Sequence, residues 1–191
     1  MLLAGLIGMV SLLSPAPAPE AQPAAPAAPP AAASDLRRPL HVPKLKRGAR
    51  CPLSPSRIWV PETQQRLNGR GPAFLVGVGH ADPATINMIF SYPDEKGWYG
   101  QKTPWAISRD YEGPLLVRGA RIDRRGKVSF AYGYGQHLRE LYWEAGADQG
   151  LPPDPGYRFL ASETLVRSRG CYAFQVDGTS FSTVIVMRVR G

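Results

Sequence analysis

Residues 171–190 read Cys171-Tyr172-Ala173-Phe174-Gln175-Val176-Asp177-Gly178-Thr179-Ser180-Phe181-Ser182-Thr183-Val184-Ile185-Val186-Met187-Arg188-Val189-Arg190, and the fold is decided there. Tyr172, Phe174 and Val176 alternate with Ala173 and Gln175, the period of two that gives a strand one face toward a core. Asp177-Gly178 is expected to supply the positive φ values of a tight turn. Phe181 to Val189 then runs back as an apolar strand, which belongs in the middle of a sheet.

Working outward, short β-branched and aromatic segments recur with turn chemistry between them. Arg57–Val60, Ala73–Val78, Ile86–Phe90, Pro104–Ser108, Leu115–Ile122, Val128–Tyr132 and Glu163–Val166 are each expected to be strands. Asn68-Gly69, Asp82-Pro83, Pro93-Asp94, Glu112-Gly113-Pro114, Arg125-Gly126 and the proline cluster 152–156 separate them. Many short strands at this spacing argue for an all-β sandwich. Gln136–Ala145 is the one stretch with room for a turn or two of helix, although Tyr142-Trp143 would also suit a strand.

The N-terminal quarter has a different composition. Residues 1–13 form an uncharged apolar run of signal-peptide length, shorter than the roughly 20 residues a spanning helix needs. Residues 14–34 are almost wholly Pro and Ala, a composition that builds an extended spacer rather than a core, and the basic stretch 35–50 follows. The expected organisation is therefore a signal or anchor segment (1–13), a disordered linker (14–50) and one folded domain (51–191). Cys51 opens that domain and Cys171 begins its last hairpin. A disulfide between them would close a loop of about 120 residues, worth about 4–5 kcal/mol on the chain-entropy model; two separately buried thiols are the alternative. Such a bridge and such an N-terminus point to a secreted, periplasmic or cell-surface location.

Gly170-Cys171-Tyr172-Ala173-Phe174-Gln175-Val176-Asp177-Gly178-Thr179-Ser180-Phe181-Ser182, with the apolar strand behind it, resembles the C-terminal end of uncharacterised secreted bacterial proteins with an immunoglobulin-like β-sandwich. The segment from Trp105 to Gly119 looks like a second element of the same group. The resemblance implies an immunoglobulin-like antiparallel β-sandwich and an exported location, and it implies no activity.

Residue spacing argues against the familiar catalytic and metal chemistries. Gly178-Thr179-Ser180 follows a hairpin rather than opening a helix, and none of His41, His80 and His137 has a protease setting. A blue-copper loop needs His and Met close behind a Cys, yet Met187 is sixteen residues beyond Cys171. His80 with Asp82, or His137 with Glu140, supplies only two zinc ligands. Glu140 and Glu144 would be adjacent on one helical face, not opposed across a cleft. No catalytic, cofactor-binding or metal-binding residues are therefore expected, and the chain is read as a non-enzyme.

Two features remain that could carry binding. Aromatic residues crowd the region from 98 to 143; Trp105 and Tyr132 sit in strand patterns and read as core, while Trp98 and Tyr99 in a Gly-bounded loop read as exposed rings for stacking. The second feature is Arg118, Arg121, Arg124 and Arg125 on an expected hairpin from Leu115 to Tyr132. The net charge of +8 does not favour nucleic acid, because residues 51–191 hold 17 basic and 13 acidic residues, widely spread. The leading expectation is an exported, non-enzymatic binding module, held off the membrane or wall by a spacer, whose partner is an unknown envelope protein or glycan. Any membrane association would run through the N-terminal segment. Alternatives are a carbohydrate-active or other hydrolase with an unrecognised site, or a structural subunit of an envelope assembly.

Overall fold

The computed structural model describes residues 31–77, 83–88, 93–133, 135–150 and 155–191. The expected signal segment 1–13, the spacer to residue 30, His80, Asp82, Phe90 and Tyr134 lie outside them. A short helix, α1 (Ala31–Asp35), precedes thirteen described strands. One five-stranded sheet has the order β1 (Ser56–Val60), β2 (Gln65–Asn68), β3 (Ala73–Gly77), β6 (Trp105–Ser108), β10 (Tyr157–Leu160). The second runs β4 (Thr85–Asn87), β13 (Ser182–Arg190), β12 (Gly170–Gly178), β7 (Leu115–Arg121), β9 (Glu140–Trp143). A three-stranded sheet, β5 (Tyr99–Lys102), β11 (Glu163–Val166), β8 (Val128–Ala131), completes the all-β sandwich. Every pairing is antiparallel except β13 with β4.

The three sheets share one core. Leu75, Trp105 and Ile107 meet Val117, Tyr172, Phe174, Ile185 and Met187, with Phe130 and Val166 from the small sheet. Tyr172, Phe174 and Val176 thus point inward as their alternation requires, and β13 lies inside its sheet between β4 and β12.

The turn lies later than expected. β12 continues through Asp177 and Gly178, Asp177 pairs with Ser182, and Gly178 N–H donates to the Phe181 carbonyl at 3.0 Å. Neither residue takes a positive φ. Gly178 is needed for close approach instead, since a Cβ there would stand 2.5 Å from the Phe181 ring and 2.6 Å from the Tyr111 hydroxyl.

Three other expectations are corrected. Leu115–Tyr132 is not a hairpin, because β7 pairs with β12 and β9 whereas β8 crosses to the small sheet. In Gln136–Ala145 the helical alternative gives way to the strand one: β9 bonds to β7 and turns Leu141 and Trp143 into the core. The linker is folded from residue 33 onward: Ala33 and Leu36 are buried against Leu116, and Val42 and Leu45 pack on Ile122, Ala173 and Val186.

Residues 33–51 form a strap over the outer face of the second sheet, antiparallel to β12. Arg38 donates to the carbonyls of Gly178, Phe181 and Thr179 at one end. Further along, Gln175 donates to the Pro39 carbonyl and accepts from His41 N–H. At the other end Cys51 is joined to Cys171, with 5.7 Å between Cα atoms. The strap is there because that face carries Leu116, Ala173 and Val186, which are apolar, and Gln175 and Asp177, which are wholly buried and need partners. Strap arrival and disulfide lie at opposite ends of β12, about 25 Å apart at ~3.3 Å per residue.

Candidate functional site

The basic residues sort into two sets once the strands are in place. Arg118 projects under the strap, 2.6 Å from the Asp177 carboxylate and 2.6 Å from the Arg38 carbonyl. Asp177 is fully buried and also accepts from Ser182 Oγ and Gln175. Arg121 is buried too: it grips the Asp123 carboxylate through Nε at 2.6 Å and Nη2 at 3.2 Å, and donates to Ser168 Oγ and the Arg169 carbonyl. Arg158, not singled out in the sequence, is a third buried clamp, donating to the carbonyls of Ala147 and Tyr111. None of these three presents its charge to solvent. Arg118 and Arg121 are consequently structural residues rather than the surface patch their sequence neighbourhood suggested.

Arg124 and Arg125 are exposed on the turn after β7, and there the two part company. Arg124 lines a groove of about 440 Å³ together with Arg50, Arg169, Arg188 and Arg190, whereas Arg125 does not. The groove lies where β12 begins and β13 ends, beside the Cys51–Cys171 bridge. Its five arginines come from four places in the chain: the end of the strap, the turn after β7, the start of β12, and β13. The disulfide holds the first of these against the rest. Alternation along β13 puts Arg188 and Arg190 on one face.

Among the described residues Asp123 is the one acidic side chain lining the groove, which Gly191 also lines. The Arg121 side chain bonded to it holds its carboxyl below the usual carboxylate range, so it stays ionised and already matched by a cation behind the groove wall. Gly170 leaves room for that cation, because a Cβ there would stand 2.4 Å from the Arg121 guanidinium. Arginine side chains thus outnumber acidic ones around the groove, and guanidinium forks suit carboxylate, sulfate and phosphate oxygens.

A second cleft of about 440 Å³ is lined by Trp98, Asp94, His137, Gln101, Lys102 and Glu163. Trp98 is only 9% exposed, packed with Ala131 and Leu165, and the Arg167 guanidinium lies 4.7 Å from its ring centroid. Tyr99 is half-buried on β5 and packs against the central core. Both were expected to offer exposed rings; Trp98 is buried instead, and Tyr99 is half-buried. The Gly-bounded loop folds inward because Asp94 closes it, its Oδ1 accepting from the N–H groups of Lys96 and Trp98. Tyr132, expected in the core, is 42% exposed; its hydroxyl bonds both N–H and C=O of Tyr142. Trp105 is fully buried, as its strand pattern implied.

The same cleft tests the hydrolase alternative. His137 Nε2 is held 2.9 Å from Asp94 Oδ2, and Nδ1 is shut off from solvent with no partner among the described residues. One nitrogen is thus paired with a carboxylate, which ties the Asp94 loop to the segment that carries His137. Glu140 is bound to Arg37 at 2.5 Å, and no helix brings Glu144 beside it. Thr179 and Ser180 lie in the β12–β13 turn, where Thr179 N–H donates to the Tyr111 hydroxyl. Among the described residues no three His, Cys, Asp or Glu side chains cluster closely enough to hold a metal ion.

A third cleft, about 400 Å³, contains Phe74, Tyr111, Tyr157 and Phe181 beside Arg70 and Asp110. Its rings pack edge to face in pairs, Tyr111 on Phe181 and Phe74 on Tyr157. Comparison with known proteins returns no matching family model and no matching curated protein. Among the described residues no helix is long and apolar enough to cross a membrane.

Proposed function

We propose that this chain is an exported, non-enzymatic binding module that takes an anionic ligand in the arginine groove. The observation that carries the proposal is the convergence of Arg50, Arg124, Arg169 and Arg188 around one groove whose one acidic side chain, Asp123, is paired with Arg121. Like charges gathered from distant segments repel one another, and a bound anion offsets that repulsion.

Export is supported by the Cys51–Cys171 bridge, since such bonds persist in oxidising compartments. The apolar run 1–13 and the Pro/Ala stretch support it from the sequence, as leader or anchor and as spacer. The strap receives the chain at the end of β12 remote from the groove, an arrangement that keeps the spacer clear of the ligand.

Two measurements test this. Residues 1–34 fused to a reporter enzyme active only outside the cytoplasm should give a signal, and a silent fusion removes the export half. On a sulfate-bearing cation exchanger, Arg50→Ser/Arg124→Ser should elute well before Arg70→Ser/Arg139→Ser, a pair of exposed arginines outside the groove. Co-elution of the two variants removes the groove.

A further inference from the structure

We infer that the groove's ligand is an extended acidic polysaccharide, read through its charges alone; this rests on the anion-binding proposal above and narrows it to one class of polymer. Three observations point there. The first is extent. The basic surface does not stop at the groove: Lys44, Lys46 and Arg47 are exposed on the strap just before Arg50, and Arg125 and Lys127 are exposed on the turn beyond Arg124. A single phosphate or sulfate would engage two or three guanidinium groups and leave this track unused, whereas a chain with a charge on each residue follows it.

The second observation is what the groove lacks. Among the described residues no aromatic ring lines it, and its carbon surface is Ala49, Val189, glycines and the disulfide. Proteins that hold single-stranded nucleic acid combine a basic track with rings on which the bases stack, at about 1–3 kcal/mol per base. The groove has the track and no platform.

The third concerns membranes. Proteins that lie on anionic lipid add apolar side chains that enter the acyl boundary. The exposed large apolar residues of the described fold are Leu40, Ile58 and Tyr132, and none of them lines the groove. An uncapped acidic glycan, with charges on a hydrophilic backbone, asks for neither rings nor apolar anchors.

The experiment compares four probes against the oxidised full chain by titration calorimetry at low salt. They are heparin, polygalacturonate, a single-stranded oligodeoxynucleotide of matched charge, and phosphatidylglycerol vesicles. Both polysaccharides should bind at least tenfold more tightly than the oligonucleotide and the vesicles, and a heparin disaccharide should bind far more weakly than the polymer. Arg50→Ser/Arg124→Ser should weaken polysaccharide binding about thirtyfold and lower the log–log salt slope by about two, while Arg70→Ser/Arg139→Ser stays within twofold of wild type. Equal or tighter binding of the oligonucleotide or the vesicles, lost in the groove variant, overturns the polysaccharide inference and leaves the anion site standing. Full affinity for the disaccharide overturns the extended-chain inference in the same way. Polysaccharide binding that the groove variant retains, or no binding of any probe, overturns both. Unchanged thermal melting of the variants establishes that they fold.

Discussion

Asp177→Ala should be among the most damaging single substitutions outside the apolar core. The carboxylate is completely buried, and its removal leaves Arg118, whose side chain is 13% exposed, with no counter-charge under the strap. Breaking a buried pair from one side costs about 3–5 kcal/mol, because the survivor remains desolvated. Ser182 Oγ loses its acceptor as well, and Gln175 Nε2 keeps only the Pro39 carbonyl. The Arg38 contact adds almost nothing to the sum, at 3.6 Å and with the arginine 38% exposed. The expected loss is about 4 kcal/mol, a large share of the 5–15 kcal/mol typical of a domain. Guanidinium denaturation with the disulfide intact measures it. Limited trypsin digestion under native conditions should also cut at Lys44–Arg47 faster, because Arg118 and Gln175 hold the carbonyls of Arg38 and Pro39. Replacing both ends of the pair, Arg118→Met/Asp177→Leu, should recover stability above either single variant, since an apolar pair carries no desolvation penalty. A loss under 1 kcal/mol for Asp177→Ala with an unchanged rate of strap cleavage would refute the account of how the strap is held.

Three further outcomes are expected. Cys51→Ser/Cys171→Ser opens a loop spanning 120 positions and should lose up to about 5 kcal/mol on the chain-entropy model, read by thermal melting; it should also weaken polysaccharide binding, since Arg50 is no longer held at the groove, and undiminished affinity would show that the bridge does not shape the site. Trp98→Ala should cost about 3–4 kcal/mol as a large buried ring is lost, while leaving polysaccharide affinity within twofold, and a selective loss of affinity would restore the ring as a binding surface. The third is acid sensitivity. Asp94, Asp123 and Asp148 are held below the ordinary carboxylate range, chiefly by the Trp98 N–H, the Arg121 guanidinium and the Phe159 N–H respectively. Their contribution is complete above the unfolded value near pH 3.9 and is lost as pH falls through the lower folded values, so stability should decline below about pH 4, with a shallower decline in Asp123→Asn. An identical pH profile for Asp123→Asn would contradict that assignment.

What could be read from the chain depended on how local its cause was. The alternation of Tyr172, Phe174 and Val176 arises from strand geometry itself, so the hairpin and its central place in the sheet were legible. The turn was misread because Asp177-Gly178 has the composition of a turn, and the competing cause is remote: Arg118 and the strap draw Asp177 into the sheet and bury it. Trp98 was misplaced for a similar reason, since nothing in a Gly-bounded loop announces that Asp94 will close it and Arg167 will cover it. The strap had a faint signal in Leu36, Val42 and Leu45, apolar residues at intervals among the basic ones. That signal becomes decisive only when Leu116, Ala173 and Val186 are seen to need a cover.

The same separation of local from remote causes decides which arginines can bind anything. Arg118, Arg121, Arg124 and Arg125 are neighbours in sequence, yet the fold consumes the first two: Arg118 has Asp177, and Arg121 has Asp123. Those two pairs are also what build the groove. Arg121 pairs with Asp123, the groove's one acidic side chain, and the strap that Arg118 helps to pin delivers Arg50 to its edge. Neutralising Arg121 should therefore damage anion binding by a different route from neutralising Arg50. With Arg121→Met the freed Asp123 carboxylate faces the ligand and folding stability falls; with Arg50→Ser affinity falls and stability does not. Loss of stability without any loss of affinity in Arg121→Met would mean that Asp123 does not matter to the groove, and the electrostatic part of the proposal would have to be given up.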